Sequence, residues 1–159
     1  MIVVSDTSNI SYLIQLDLLS LLEKLYGEVF IPEAVYQELS AMPTTQISIV
    51  DQIGRINIQQ VQDRTIVEDL LNDLDLGEAE SIALALEMKA ELLIVDEAKD
   101  RKIARELGLK ITGILGVLIA AKQAKLISSV RDSLKELRIL GFYLNPRLEM
   151  EVLRLVDEV

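Results

Sequence analysis

With no cysteine and no histidine among 159 residues, carboxylates are the main groups left to do chemistry in this chain. The two absences exclude thiolate and imidazole metal sites, cysteine nucleophiles and Ser-His-Asp triads. Asp96 directly follows the short apolar run Leu92 to Val95, and Asp6 follows Val3-Val4 with only Ser5 between. Glu38 lies on a segment whose Val35 and Leu39 mark a buried helical side, and Glu78 follows Gly77 at the start of another helical pattern. Gathering such carboxylates within a few ångströms raises their pKa values through mutual repulsion unless a cation lies between them. Oxygen-only ligands point to Mg²⁺ or Mn²⁺. Such an ion can bind a phosphodiester oxygen, acidify a bound water and stabilise the leaving oxygen, which suffices for hydrolysis without another catalytic side chain.

Each position also has a plain structural reading. Asp6 and Asp96 could simply cap the helices that follow them. At the start of a helix Glu78 is favoured by the dipole, and Glu80 competes with it for the inward role. On a helical projection Glu78 shares a column with Ile82, nearer the buried face, whereas Glu80 aligns with Leu84 and Glu87, so Glu78 is preferred. Glu38 sits near a helix C-terminus, where a negative charge is mildly unfavourable and a solvated glutamate is the common outcome. Asp100, one turn beyond Asp96, is either an auxiliary ligand or an N-cap.

The elements that must position these groups alternate. Ile2-Val3-Val4 reads as a buried strand and Asp6-Thr7-Ser8 as a cap before a helix bearing Ile10, Leu13 and Ile14. A helix over Leu18 to Leu25 ends near Gly27, Glu28 to Ile31 reads as a strand, and Pro32 suits the first position of the next helix. Residues 41–63 are ambiguous: Met42-Pro43-Thr44-Thr45 is a break, and Ile56, Ile58 and Val61 fit a strand or irregular chain. Helical patterns follow over Glu68 to Leu74 and Gly77 to Lys89, the latter with Ala79, Ile82, Ala83 and Leu86 at helical spacing. Leu92 to Val95 is the clearest strand; a helix over Asp100 to Leu107 stops at Gly108, then come a short strand Lys110 to Thr112 and further helices. This alternation predicts a parallel sheet with helices on both faces, a three-layer α/β/α architecture, as one domain over residues 1–159. Ligands in such a sheet bind beyond the carboxyl ends of the strands where strand order reverses, the region that would hold Asp6 and Asp96 if their strands are neighbours.

A formal net charge of −10 opposes contact with polyanions unless bound divalent cations reverse the local sign or basic side chains cluster on one face. Lys99, Arg101, Lys102 and Arg105 follow Asp96 closely and could contact phosphates, though a solvated helix face explains them as well. Aromatic residues are few, so no platform for stacking bases is evident. No stretch reaches about 18 consecutive apolar residues and the N-terminus carries no basic, apolar leader pattern, so no membrane contact and a cytoplasmic location are expected.

The opening IVVSDTSNISYLIQL, the segment VFIPEAVYQEL and the long run LGEAESIALALEMKAELLIVDEAKDRKIARELGLKITGILGVLIAAK, in that order and spacing, resemble the small stand-alone prokaryotic proteins of the PIN-domain family. The resemblance spans most of residues 1 to 127. It implies a Rossmann-like sheet with an acidic crevice and Mg²⁺- or Mn²⁺-dependent endonucleolytic hydrolysis of single-stranded RNA, with Asp6, Glu38, Glu78 and Asp96 as the acidic set. It further implies Ser8 as a hydroxyl supporting the first carboxylate and Asp100 as a further participant. Similar members are often VapC-like toxins that pair with a small antitoxin protein and form homodimers. Two other readings compete. One is a catalytically silent PIN-like module that binds a protein partner; the other is an aspartyl-nucleophile phosphatase built on Asp6, disfavoured because position 8 is serine rather than a second acid. The C-terminal segment 142–159, with Leu148, Val152, Leu155 and Val156 at helical spacing after Pro146, is expected to pack on the core or at a dimer contact.

Overall fold

The computed structural model describes residues 1–42, 49, 51 and 55–159. Among the described residues five strands form one sheet: β1 (Val3–Ser5), β2 (Val29–Pro32), β3 (Ile56–Gln59), β4 (Leu92–Ile94) and β5 (Ile111–Thr112). The described helices are α1 (Thr7–Gln15), α2 (Ser20–Tyr26), α3 (Glu33–Ser40), α4 (Arg64–Leu70), α5 (Leu76–Glu87), α6 (Ala98–Glu106), α7 (Ile114–Gln123), α8 (Val130–Ile139) and α9 (Pro146–Leu155). All strand pairings are parallel and the order is β3-β2-β1-β4-β5. The expected three-layer α/β/α arrangement is therefore the observed one.

Alternation along the strands decides which core each residue enters, because successive strand side chains point to opposite faces. Val3, Val29, Ile31 and Ile94 join one core, which takes in α1, α2, α3, α7, α8 and α9. Val4, Leu93 and Val95 join the other, with Val67 of α4, Ile82 of α5 and Ala104 of α6. Helix α5 carries both a buried apolar side and buried polar residues, since Ala79 through Ala85 are all buried. Val152 and Leu153 of α9, with Val156 just beyond it, lie in the first core, so the C-terminal segment packs on the fold.

Several boundaries differ from the sequence expectation for local reasons. Pro32 ends β2 and serves as the N-cap of α3 rather than as its first residue; its ψ of 165° is extended and it pairs with Gln59 of β3. Helix α4 starts earlier than Glu68 because Asp63 caps it, accepting from the Thr65 N–H at 3.1 Å. The ambiguous stretch resolves in part: Ile56 and Ile58 belong to β3, while Val61 is buried in the opposite core. The proposed break at Pro43-Thr44-Thr45 lies outside the described residues.

Candidate functional site

Strand β1 pairs with β2 on one side and β4 on the other, so the chain's direction of travel across the sheet reverses between β1 and β4. Their register, Val3 with Leu92, Val4 with Leu93 and Ser5 with Ile94, brings the carboxyl ends of the two strands level. The Asp6 N–H donates to the Ile94 carbonyl at 3.1 Å, tying the residue after β1 to the end of β4. The pairing condition for Asp6 and Asp96 to enter one crevice is thus met.

Asp6 is buried and is also the N-cap of α1: its Oδ1 accepts from the Asn9 N–H at 3.1 Å and from Asn9 Nδ2 at 3.0 Å. Burial pushes its carboxyl up from 3.8 to about 7, against the two Asn9 hydrogen bonds, with repulsion from Asp96 and Glu78 adding to the rise. Asp96 is partly buried. Its Oδ1 accepts from the Ile114 N–H at 3.1 Å, at the start of α7, while its Oδ2 is buried with no hydrogen bond of ordinary geometry from the described residues. Burial raises its pKa too, opposed by the Ile114 N–H, by the Arg101 charge and by Asn9. Gly113 permits this placement: a Cβ there would stand 3.2 Å from both the Asp96 Cγ and the Val95 carbonyl oxygen.

Asp100, which the sequence left between ligand and cap, is 1% exposed, and no donor among the described residues reaches either of its carboxylate oxygens. The Glu78 carboxylate stands beside it, and two such groups can bond only by sharing a proton. Burial first, then Glu78, Asp6 and Glu97, push Asp100 up to about 8. Glu78 forms a capping box with Asp75: its Oε1 accepts from the Asp75 N–H at 2.9 Å, and Asp75 Oδ1 accepts from the Glu78 N–H at 2.8 Å. Glu38 accepts from the Thr7 hydroxyl and packs on Gly77, where an added Cβ would lie 2.8 Å from the Glu38 Cδ. Asp6, Thr7, Ser8, Glu38, Gly77 and Glu78 line one hollow of about 150 Å³, so α1, α3 and α5 meet there with the end of β1.

The helical projection misjudged Glu80. It is 5% exposed, more deeply buried than Glu78, but it faces away from the hollow: its Oε1 accepts from the Ala34 N–H at 3.0 Å and its Oε2 pairs with Arg64 Nη1 at 2.8 Å. A helix covered on several sides has no single buried column, which is why the projection failed. Asn9 and Thr7, the side chains that hold Asp6 and Glu38, were not singled out as site residues; the signal was an Asp followed three residues later by Asn at a helix start. Among the basic candidates, Lys99 and Lys102 are exposed, whereas Arg101 is half-buried and close enough to stabilise ionised Asp96.

Among the described residues no three acidic side chains are drawn together tightly enough to enclose a metal ion as they stand. The fit to a cation rests on the buried oxygens without donors, Asp96 Oδ2 and both oxygens of Asp100, beside Asp6. Burying a charged oxygen unsatisfied costs several kcal/mol, so such a group keeps its proton or takes up a cation. The donor set, all oxygen, suits a hard divalent ion.

A family model described as PIN domain matches residues 2–158, nearly the whole chain, and the chain belongs to that family. PIN domains are generally nucleases that use divalent metals, which makes nucleic acid the class of substrate implied by the family. No curated protein matches the chain. Among the described residues no helix is long and apolar enough to cross a membrane.

Proposed function

We propose that this protein is a metal-dependent endoribonuclease that hydrolyses phosphodiester bonds of single-stranded RNA. The observation that carries the reading is the placement of Asp6, Asp96 and Asp100 at the strand-order reversal, with three carboxylate oxygens buried and lacking donors. Asp6, Asp96 and Asp100 would hold Mg²⁺ or Mn²⁺, with Glu78 and Glu38 at the neighbouring hollow completing the acidic set. When bound, the ion supplies charge neutralisation at the phosphate and acidification of water. The chain's own residues do the positioning. Asn9 fixes the Asp6 carboxylate from two directions, the Ile114 N–H fixes Asp96, and the Thr7 hydroxyl fixes Glu38. Ser8 lines the hollow together with Asp6, where its hydroxyl would support the first carboxylate. Arg101, half-buried with its charge acting on Asp96, would meet a phosphate oxygen, with Lys99 and Lys102 exposed on the same helix.

A role as the toxin of a toxin–antitoxin pair, acting as a homodimer held in check by a small antitoxin protein, is the setting we propose for this activity. A second reading, a silent module that binds a protein partner, is favoured by one observation: Asp6, Asp96 and Glu78 all serve as helix caps, a sufficient structural reason for each. The deciding experiment is cleavage of end-labelled single-stranded RNA with Mn²⁺ or Mg²⁺ by wild type, by Asp96→Asn purified in parallel, and by wild type in EDTA. Cleavage by metal-loaded wild type alone supports the nuclease. Equal cleavage in all three marks a contaminant, and none by wild type supports the silent module.

A further inference from the structure

A second hollow, of about 710 Å³, opens beside Asp96 and adjoins the acidic one, since Ser8 and Glu97 line both. Its size falls within the range of about 300–1,000 Å³ that encloses a small organic molecule. Three of the chain's six aromatic side chains converge here: Tyr12 from α1, and Phe142 and Tyr143 from the segment between α8 and α9. Tyr12 and Phe142 meet edge to face, with ring centroids 5.5 Å apart and an interplanar angle of 87°, so Phe142 is held in place. Tyr143 is 81% exposed, a large ring left in water at the groove's edge. Tyr12 shares this lining with Asp96 and Glu97; burial raises its hydroxyl pKa, and the charges of Asp96, Glu97 and Asp6 raise it further.

The charged lining selects among the parts of a nucleotide. Asp96, Glu97 and Glu151 outnumber Arg101, so the groove itself repels a phosphate and admits a neutral, flat group. Resting on the nuclease reading above, we infer that this groove is a base-binding subsite: a base flanking the scissile phosphate stacks on Tyr143 against the Tyr12–Phe142 pair, while Arg101 meets the adjoining phosphate at the groove's mouth. Stacking on an aromatic ring tolerates every base, so the subsite favours unpaired strands without reading their sequence. It also excludes duplexes, whose bases are not free to turn outward.

The test is binding, read by fluorescence anisotropy, of a short labelled oligouridylate and of a sugar-phosphate strand of equal length without bases. Both are measured in EDTA and in Ca²⁺ with wild type, Tyr143→Ala and Tyr143→Phe. Because Tyr143 is exposed, neither substitution removes core packing. Tyr143→Ala should weaken oligouridylate binding on the order of tenfold, and Tyr143→Phe should retain it. The strand without bases should bind more weakly to all three, with no dependence on position 143. The inference is overturned if Tyr143→Ala binds oligouridylate like wild type, if wild type binds neither strand, or if it binds the two equally. It also falls if a basic amphipathic peptide is preferred over the strand and position 143 governs that binding instead. Cleavage with KM unchanged in Tyr143→Ala would overturn the subsite and leave the nuclease standing; Tyr143-dependent binding of the oligouridylate without cleavage would do the reverse.

Discussion

Replacing Asp6 by Asn should stabilise the metal-free protein at pH 8 and leave it nearly unchanged near pH 4. The Asp6 carboxyl, ordinarily at 3.8, is raised to about 7 in the fold, chiefly by burial. Below pH 3.8 both folded and unfolded chains hold the proton, so the group contributes no pH dependence. Between 3.8 and about 7 the unfolded chain has released its proton and the folded chain has not, so stability falls as pH rises, by about 1.4 kcal/mol per pH unit. Above about 7 the loss is complete and amounts to something on the order of 4 kcal/mol, a large share of the roughly 5–15 kcal/mol available to a domain. Asparagine keeps an oxygen to accept from the Asn9 N–H and side chain, so the cap of α1 survives while the charge is gone. Urea denaturation in EDTA, followed by circular dichroism at pH 4 and pH 8, measures the difference; in melting temperature it should approach about 10 °C at pH 8. Adding Mn²⁺ at about a hundredfold over its dissociation constant should restore roughly 2.7 kcal/mol to wild type, and much less to the variant. The reasoning is refuted if the advantage of Asp6→Asn does not grow between pH 4 and pH 8.

Gly77→Ala should crowd Glu38 out of its place, since the new Cβ would lie 2.8 Å from Glu38 Cδ; a misplacement of this kind should lower the rate of RNA cleavage on the order of a hundredfold, read in single-turnover kinetics with the far-ultraviolet spectrum unchanged. Glu80→Ala should cost about 1–3 kcal/mol in urea denaturation by stripping the buried Ala34 N–H of its acceptor, while Arg64→Ala, at the half-exposed end of the same pair, should cost about 1 kcal/mol at most. Neither the Glu80 nor the Arg64 change should alter the affinity for Mn²⁺ measured by calorimetry. Glu158→Gln should destabilise by about 1 kcal/mol at pH 7, because Glu158 caps α8 through the Val130 N–H at 2.7 Å and the Arg131 N–H at 3.0 Å. Burial raises the Glu158 pKa, but those N–H groups and Lys122 outweigh it and hold the carboxyl below its usual 4.5, so the difference should vanish as pH falls below that range.

The amino-acid sequence by itself made the architecture legible and narrowed the side chains open to chemistry. Valine and leucine runs at Val3-Val4 and Leu92 to Val95 can only be buried strands once helices flank them, and parallel strands joined through helices leave their carboxyl ends on one side. The lack of histidine and cysteine left carboxylates as the main candidates; their positions on the expected elements, and the acidic set that the resemblance to the PIN-domain family implies, singled out Asp6, Glu38, Glu78, Asp96 and Asp100 among 26 acidic residues. Tertiary structure decided what depends on which faces meet. It buried Glu80 against Ala34 and Arg64, because α5 is enclosed by α3 and α4 as well as by the sheet, and a helical projection assumes one buried side. It left Asp96 Oδ2 and both Asp100 oxygens without donors, an outcome of side-chain placement that spacing does not encode. It also brought Tyr12 to Phe142 across 130 residues of chain, making an aromatic groove from residues that looked too few and too scattered to form one. Contacts between distant segments are set by how helices pack over the sheet, and that packing is a property of the whole chain rather than of any window within it.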